Sequence, residues 1–252
     1  MLIRSRYVNI GISGHVLATD DPSRTDVLPA EDSLWDQGEM TSSEPLYVAS
    51  PTNVRTGAFA RTCQATNLLG RHIRLMNDHV NGDSMCFTDA LQLHRTLTAF
   101  TKLLPDEVGL ATIQYSVPMA LCYSALLHLY DPFCCADINR GANTVEETEM
   151  QSIAIEGVKS VAADVLQFSQ VLRHSMTLNP AAASPLVGDA LYMAATTFAW
   201  LTHETGSAEM AASYTYLKDS LQVLNGRWAV AGEYLKILEK TKDILYSNNP
   251  LL

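Results

Sequence analysis

Five apolar residues constrain this chain more than anything else in it. Val158, Val161, Val165, Phe168 and Leu172 follow one another at alternating spacings of three and four. On a helix of 3.6 residues per turn they form one stripe, and such a stripe must be buried against other helices. On a strand they would scatter over both faces.

The same periodicity recurs on both sides. Phe59, Cys63, Leu69, Ile73 and Met76 fall roughly on one face of a helix preceded by Pro51-Thr52. Leu93, Leu97, Phe100 and Leu104 mark a second helix, expected to stop at Pro105. A third is expected from about Val108 to Tyr130, ending at Asp131-Pro132 and kinked or broken at Pro118. Thr144 and Glu147 read as a capping box ahead of the Val158 stripe, after a polar loop holding Gly141 and Asn143. Beyond a loop bracketed by Pro180 and Pro185 come Leu191, Ala194, Phe198 and Leu201. Leu217, Leu221 and Leu224 follow Gly206, and Asn225-Gly226 reads as a helix stop. Trp228, Ala231, Leu235 and Leu238 mark the last helix. No convincing alternating strand interrupts these segments, so the expected fold is all-α, with roughly seven helices.

Residues 1–54 differ. From Asp20 to Glu44 the one basic residue is Arg24, against eight acids. The expected organisation is a loop-rich acidic lead-in and linker over 1–54, with one short helix near Met1–Asn9, and an all-α domain over 55–247.

Charge narrows the function. With 17 Lys+Arg against 27 Asp+Glu the formal net charge is -10, and a phosphate backbone needs the opposite sign. The chain is not expected to hold DNA or RNA by itself. A hydrophobic fraction of 47% suits a globular body of 252 residues rather than a disordered chain. The N-terminus has no apolar signal core, and the apolar run near Val117–Tyr130 falls short of a span of roughly 20 residues. The expectation is therefore a soluble protein that neither enters nor crosses a membrane.

No residue pattern announces a reaction. The five cysteines, Cys63, Cys86, Cys122, Cys134 and Cys135, form no C-x-x-C pair and read as reduced thiols in an intracellular protein. His72 and His79 lie two turns apart, about 10 Å, too far for one metal ion. His203-Glu204 lacks the second histidine of a zinc-protease helix, and no phosphate-binding glycine loop or nucleophile elbow occurs. The expected site residues are accordingly none: no catalytic, cofactor-binding, metal or DNA-binding residue. Arg61, Arg71 and Arg74 read as a solvated or salt-bridged helix face, with Asp78 placed to pair with Arg74. The acidic segment with Leu34, Trp35 and Met40 reads as a loop pinned to the helical body by Leu34 and Trp35.

Three segments carry a resemblance. "VLPAEDSLWDQGEM", "SPTNVRTGAFARTCQATNLLGRHIRLMND" and "YLKDSLQVLNGRWAVAGEYLKILE" occur in that order, and Arg6-Tyr7 precedes them. Together they resemble the C-terminal part of the regulatory domain, the middle homology region, of fungal zinc-cluster transcription factors. In the last segment Leu221, Leu224, Gly226, Arg227, Trp228, Ala231, Tyr234 and Leu235 stand in matching places. The family's six-cysteine zinc module has no counterpart among the five cysteines. The first half of its regulatory domain is also without a match, so the chain is expected to be a fragment, a truncated product or a stand-alone derivative.

The resemblance implies a nuclear regulator of RNA polymerase II transcription, not an enzyme. It implies contact with DNA only through a partner, and zinc only in a separate module. Its implied partners are a second copy or another zinc-cluster factor, the transcription machinery, and a small-molecule effector. Two other readings stand beside it. One is a stand-alone small-molecule-binding protein or enzyme, with Tyr115, Tyr123, His128, Tyr192, Phe198, Trp200 and Tyr214 as candidate lining. The other is an interaction module that offers uncovered apolar faces to a partner.

Overall fold

A computed structural model describes residues 1–12, 14–30, 34, 36–39, 47–48, 56–80, 86–108, 113–134, 144–179 and 182–247. Trp35, Met40, Pro51-Thr52, Cys135, Gly141, Asn143 and Pro180 lie outside them, and so does the side chain of His79. Among the described residues 78% are helical, in eight helices with no strand, so the fold is all-α.

The helices are α1 (Leu2–Tyr7), α2 (Ala58–Val80), α3 (Phe87–Val108), α4 (Ser116–Cys134), α5 (Val145–Leu178), α6 (Gly188–Thr205), α7 (Ala208–Asn225) and α8 (Ala229–Ser247). A 3-10 turn, Pro185–Val187, leads into α6. The chain forms two compact units, residues 1–125 and 126–252, and the boundary lies inside α4.

Sequence explains several of the helix ends. Thr144 caps α5 by accepting from the Glu147 amide at 3.1 Å, which satisfies one of the orphan donors of the first turn. Ser207 caps α7 in the same way, accepting from the Met210 amide. Gly206 ends α6 at φ 65°, a left-handed conformation that glycine adopts without a Cβ clash. Gly226 also follows a helix, as its sequence suggests, but with an ordinary helical φ of -57°.

Pro118 kinks no helix, but it does mark a break, since α3 ends at Val108 and α4 begins at Ser116. It is the third residue of α4, in the first turn, where no intrahelical N–H is needed. Pro132 does not end α4, which continues to Cys134. Its position near the C-terminal end removes a single ladder bond, the one that would reach the His128 carbonyl. Pro105 likewise lies within α3, which runs on to Val108.

In the first unit α1 packs on α2, and α2 on α3. Leu68, Leu69, Ile73, Leu91, Leu93, Leu97 and Leu104 are buried there. The middle of α2 is enclosed on nearly every side, from Ala60 to Gly70, and its buried set includes Arg61, Thr62, Gln64 and Thr66. Arg61 is therefore not on a solvated face. It is fully buried, donates to Gln64 Oε1 at 2.8 Å, and sits 5.7 Å from the centre of the Phe100 ring. Phe59 is exposed instead of buried. At 100° per residue it stands at the rim of the stripe that Leu69 and Ile73 centre.

In the second unit α6 is the central helix, packed on α5, α7 and α8. The stripe Val158, Val161, Val165, Phe168 and Leu172 is buried, as are Leu191, Ala194, Phe198 and Leu201 of α6. Leu217, Leu221 and Leu224 of α7 and Ala231, Leu235 and Leu238 of α8 complete this core. Trp228 anchors the start of α8 by donating from Nε1 to the Ala183 carbonyl at 2.8 Å.

Candidate functional site

Two polar clusters stand out, one in each unit. In the first unit the fully buried Arg6 holds the loop ahead of α2. Its Nη1 donates to the Thr19 carbonyl and to Thr19 Oγ1, each at 3.0 Å. Its Nη2 donates to the Asp20 carbonyl at 3.2 Å and to Asp21 Oδ1 at 3.0 Å. Arg74 of α2 pairs with the same Asp21 oxygen, not with Asp78. Asn77 accepts from the Gly14 amide at 2.7 Å and donates to the His15 carbonyl at 2.8 Å. The lead-in is thereby fastened to α1 and α2.

The clamp requires Gly70. A Cβ built there would lie 2.6 Å from Arg6 Nε, so only a residue without a side chain lets the arginine stem cross α2 at this level. Burial pushes the Arg6 guanidinium below its usual pKa, and neighbouring Arg74 acts in the same direction. The Asp21 carboxylate opposes both. A recess of about 370 Å³ beside the clamp is lined by residues that include His15, Asp20, Asp21, Arg74 and Asp78. Arg71 is exposed, and it lines a second recess of about 260 Å³ with Arg74, Asp78 and Asp89.

In the second unit the cluster is buried and titratable. His128 Nε2 of α4 lies 3.2 Å from Asp189 Oδ2 in the first turn of α6. Asp189 is only 3% exposed. Its other oxygen, Oδ1, accepts a long hydrogen bond of 3.5 Å from the Tyr234 hydroxyl of α8. The Tyr234 ring stacks on Tyr192 of α6, with centroids 5.0 Å apart and planes inclined by 23°. Three helices therefore meet on one carboxylate.

The electrostatics of this cluster favour a charged imidazole. Burial works against the charge on His128. The Asp189 charge and hydrogen bond, with Asp131 three residues further along α4, outweigh it and raise its pKa above 6.5. Burial also pushes the Tyr192 hydroxyl up. Asp189 itself occupies the first turn of α6, where the helix dipole favours a negative charge. Packing leaves little room: a Cβ on Gly188 would lie 3.2 Å from the Tyr234 ring.

Of the seven candidate lining residues, the structure gathers His128 and Tyr192 around Asp189. Tyr115 and Tyr123 belong to the first unit, where Tyr115 donates to the Thr56 carbonyl at 2.8 Å. Phe198 is core, and Trp200 and Tyr214 are half-buried. Asp189 and Tyr234 escape a reading of the sequence for sites. The one available signal is an acid, Asp189, set in the apolar run Leu186, Val187, Ala190 and Leu191.

The thiols show no redox arrangement among the described residues. Burial raises the pKa of Cys63 and Cys122, which makes them poor nucleophiles, and Cys134 Sγ donates to the Ala154 carbonyl. His203 pairs with the adjacent Glu204, and His72 is buried. Among the described residues no group of three or more His, Cys, Asp or Glu is placed to hold a metal ion, and no helix is long and apolar enough to cross a membrane. No protein-family model matches the chain, and neither a curated protein nor a solved structure matches it.

Proposed function

We propose that the chain is the helical regulatory region of a fungal zinc-cluster transcription factor, or a relative lacking the DNA-binding module, and that it controls RNA polymerase II transcription in the nucleus. One observation carries this reading. Three segments that resemble the family's regulatory domain occur in the family's order and fall on an all-α chain. The net charge of -10 fits a role in which DNA is reached through a partner. That partner is a second copy or another zinc-cluster factor, and the output passes to the transcription machinery. A small-molecule effector is the natural input.

A tethering experiment tests the proposal. The full chain is fused to an unrelated DNA-binding domain and placed on a reporter promoter in fungal cells. Activation or repression relative to the DNA-binding domain alone is expected. Unchanged reporter output from a stably expressed nuclear fusion overturns the reading. So does sequence-specific duplex binding by the purified chain on its own.

A second reading, a stand-alone metabolite-binding protein or enzyme, draws on the buried His128–Asp189 pair, since titratable groups with shifted pKa values cluster at functional sites. It predicts that a small metabolite shifts the His128 ring resonances. Unmoved resonances across a metabolite panel argue for a purely architectural pair.

A further inference from the structure

We infer that the His128–Asp189–Tyr234 cluster is a proton-operated latch: protonation of His128 ties α4 and α8 to the first turn of α6, and loss of that proton loosens the second unit. The geometry is the basis. A single carboxylate, nearly inaccessible to water, accepts from an imidazole on one helix and a phenol on another. An ion pair formed there is shielded from solvent and acts across a low-dielectric interior, so its presence or absence is felt by all three helices.

Two carboxylates near His128, Asp189 and Asp131, favour the protonated form. From α6 comes Asp189, with Tyr192 beside it. From α8 comes Tyr234, whose hydroxyl donates to the same carboxylate. From its own helix comes Asp131. Helix α5 meets α4 at Gly157, where Tyr130 lies against the backbone, and at Ala154, which accepts from Cys134. Neither contact brings a charge.

The direction follows from linkage. A histidine whose folded-state pKa is raised above 6.5 binds its proton more tightly in the folded chain than in the unfolded one. The added stability is fully present below pH 6.5 and is lost as the pH rises through the raised value. The latch is therefore closed in mildly acidic surroundings and opens on alkalinisation. Its midpoint lies above that of an ordinary histidine.

The test uses the full chain and two measurements. In the first, amide hydrogen exchange is followed between pH 6 and 8.5, corrected for the intrinsic dependence of exchange on pH. Slow amides of α6 and α8 are expected to lose protection several-fold more than those of α2 as the pH rises, and His128→Gln is expected to abolish that difference. Equal behaviour of the two units in the wild type overturns the latch, as does an undiminished difference in the variant. In the second, the His128 ring is titrated by NMR in the unmodified protein, so that the outcome stands even if the variant does not fold. A midpoint above 6.5, shared by the amide shifts of Asp189 and Tyr234, supports the latch. A midpoint at or below 6.5 overturns it.

Discussion

Arg6 and His128 both put a cation against a partly or fully buried aspartate, yet they do different work. Arg6 is charged at any pH the protein meets, and its four hydrogen bonds all go to residues 19–21, a loop. It fastens a segment with little apolar surface of its own, and Asp21 remains 41% exposed. His128 bonds a carboxylate buried at a helix N-terminus, and that carboxylate, with Asp131, overcomes burial to raise the pKa of His128 above the ordinary histidine value. The first unit thus uses a permanent charge to hold a weakly apolar strap. The second places a conditional charge among helices that apolar packing already holds. Where the fold needs a fixed anchor it uses guanidinium, and where packing suffices it can carry a group that responds to its surroundings.

The largest expected effect breaks the second cluster. Asp189→Ala leaves a buried imidazolium without its counter-charge and the Tyr234 hydroxyl without its acceptor. The cost is about 3 kcal/mol at pH 6, at the lower end for a buried pair because His128 keeps 15% of its side chain exposed. At pH 8.5 the imidazole is more often neutral, only hydrogen bonds are lost, and the cost falls toward about 1–2 kcal/mol. Chemical denaturation at the two pH values measures the difference. Equal costs would erase the contrast between the two units.

Gly70→Ala probes the other side of the comparison. The new Cβ must displace Arg6 Nε, and overpacking of this kind costs about 1–3 kcal/mol. Because the guanidinium does not titrate in this range, the loss should be the same at pH 6 and pH 8.5. Limited proteolysis should also show earlier cleavage within residues 14–30 as the strap is released. Strong pH dependence in this variant would show that the first unit, too, depends on a titrating group.

How much of this was legible in the sequence depends on how local the cause is. The α5 stripe, the Thr144 cap and the stop after Asn225 are consequences of residues a few positions apart, and they can be read directly. Pro132 misleads because a proline near a helix end costs so little that helix packing overrides it. The burial of Arg61 is invisible because helical spacing shows which residues share a face, not how many faces are covered. The central part of α2 is covered almost all round. The two clusters are harder still. Asp189 is 61 residues from His128 and 45 from Tyr234, and Arg6 meets Asp21 and Gly70 through tertiary packing alone. Their chemistry lies in pairings that no periodicity encodes.

Two smaller effects sharpen the contrast between buried and surface interactions. Thr144→Ala removes the acceptor for the Glu147 amide at the start of the 34-residue α5 and should cost about 1 kcal/mol, read by denaturation of the second unit. Lys218→Ala should cost less than about 0.5 kcal/mol, although Lys218 Nζ lies 3.3 Å from Glu239 Oε1 and joins α7 to α8. Both side chains are well exposed, so water screens the pair and holding two long side chains in one geometry offsets most of the attraction. Raising the salt concentration should shrink even this effect, while the Asp189→Ala loss at pH 6 should change little because solvent ions do not reach that carboxylate. A large, salt-resistant loss at Lys218 would mean that α7 and α8 depend on their surface charges. The buried carboxylate of α6 would then no longer be the polar contact that matters most to the second unit.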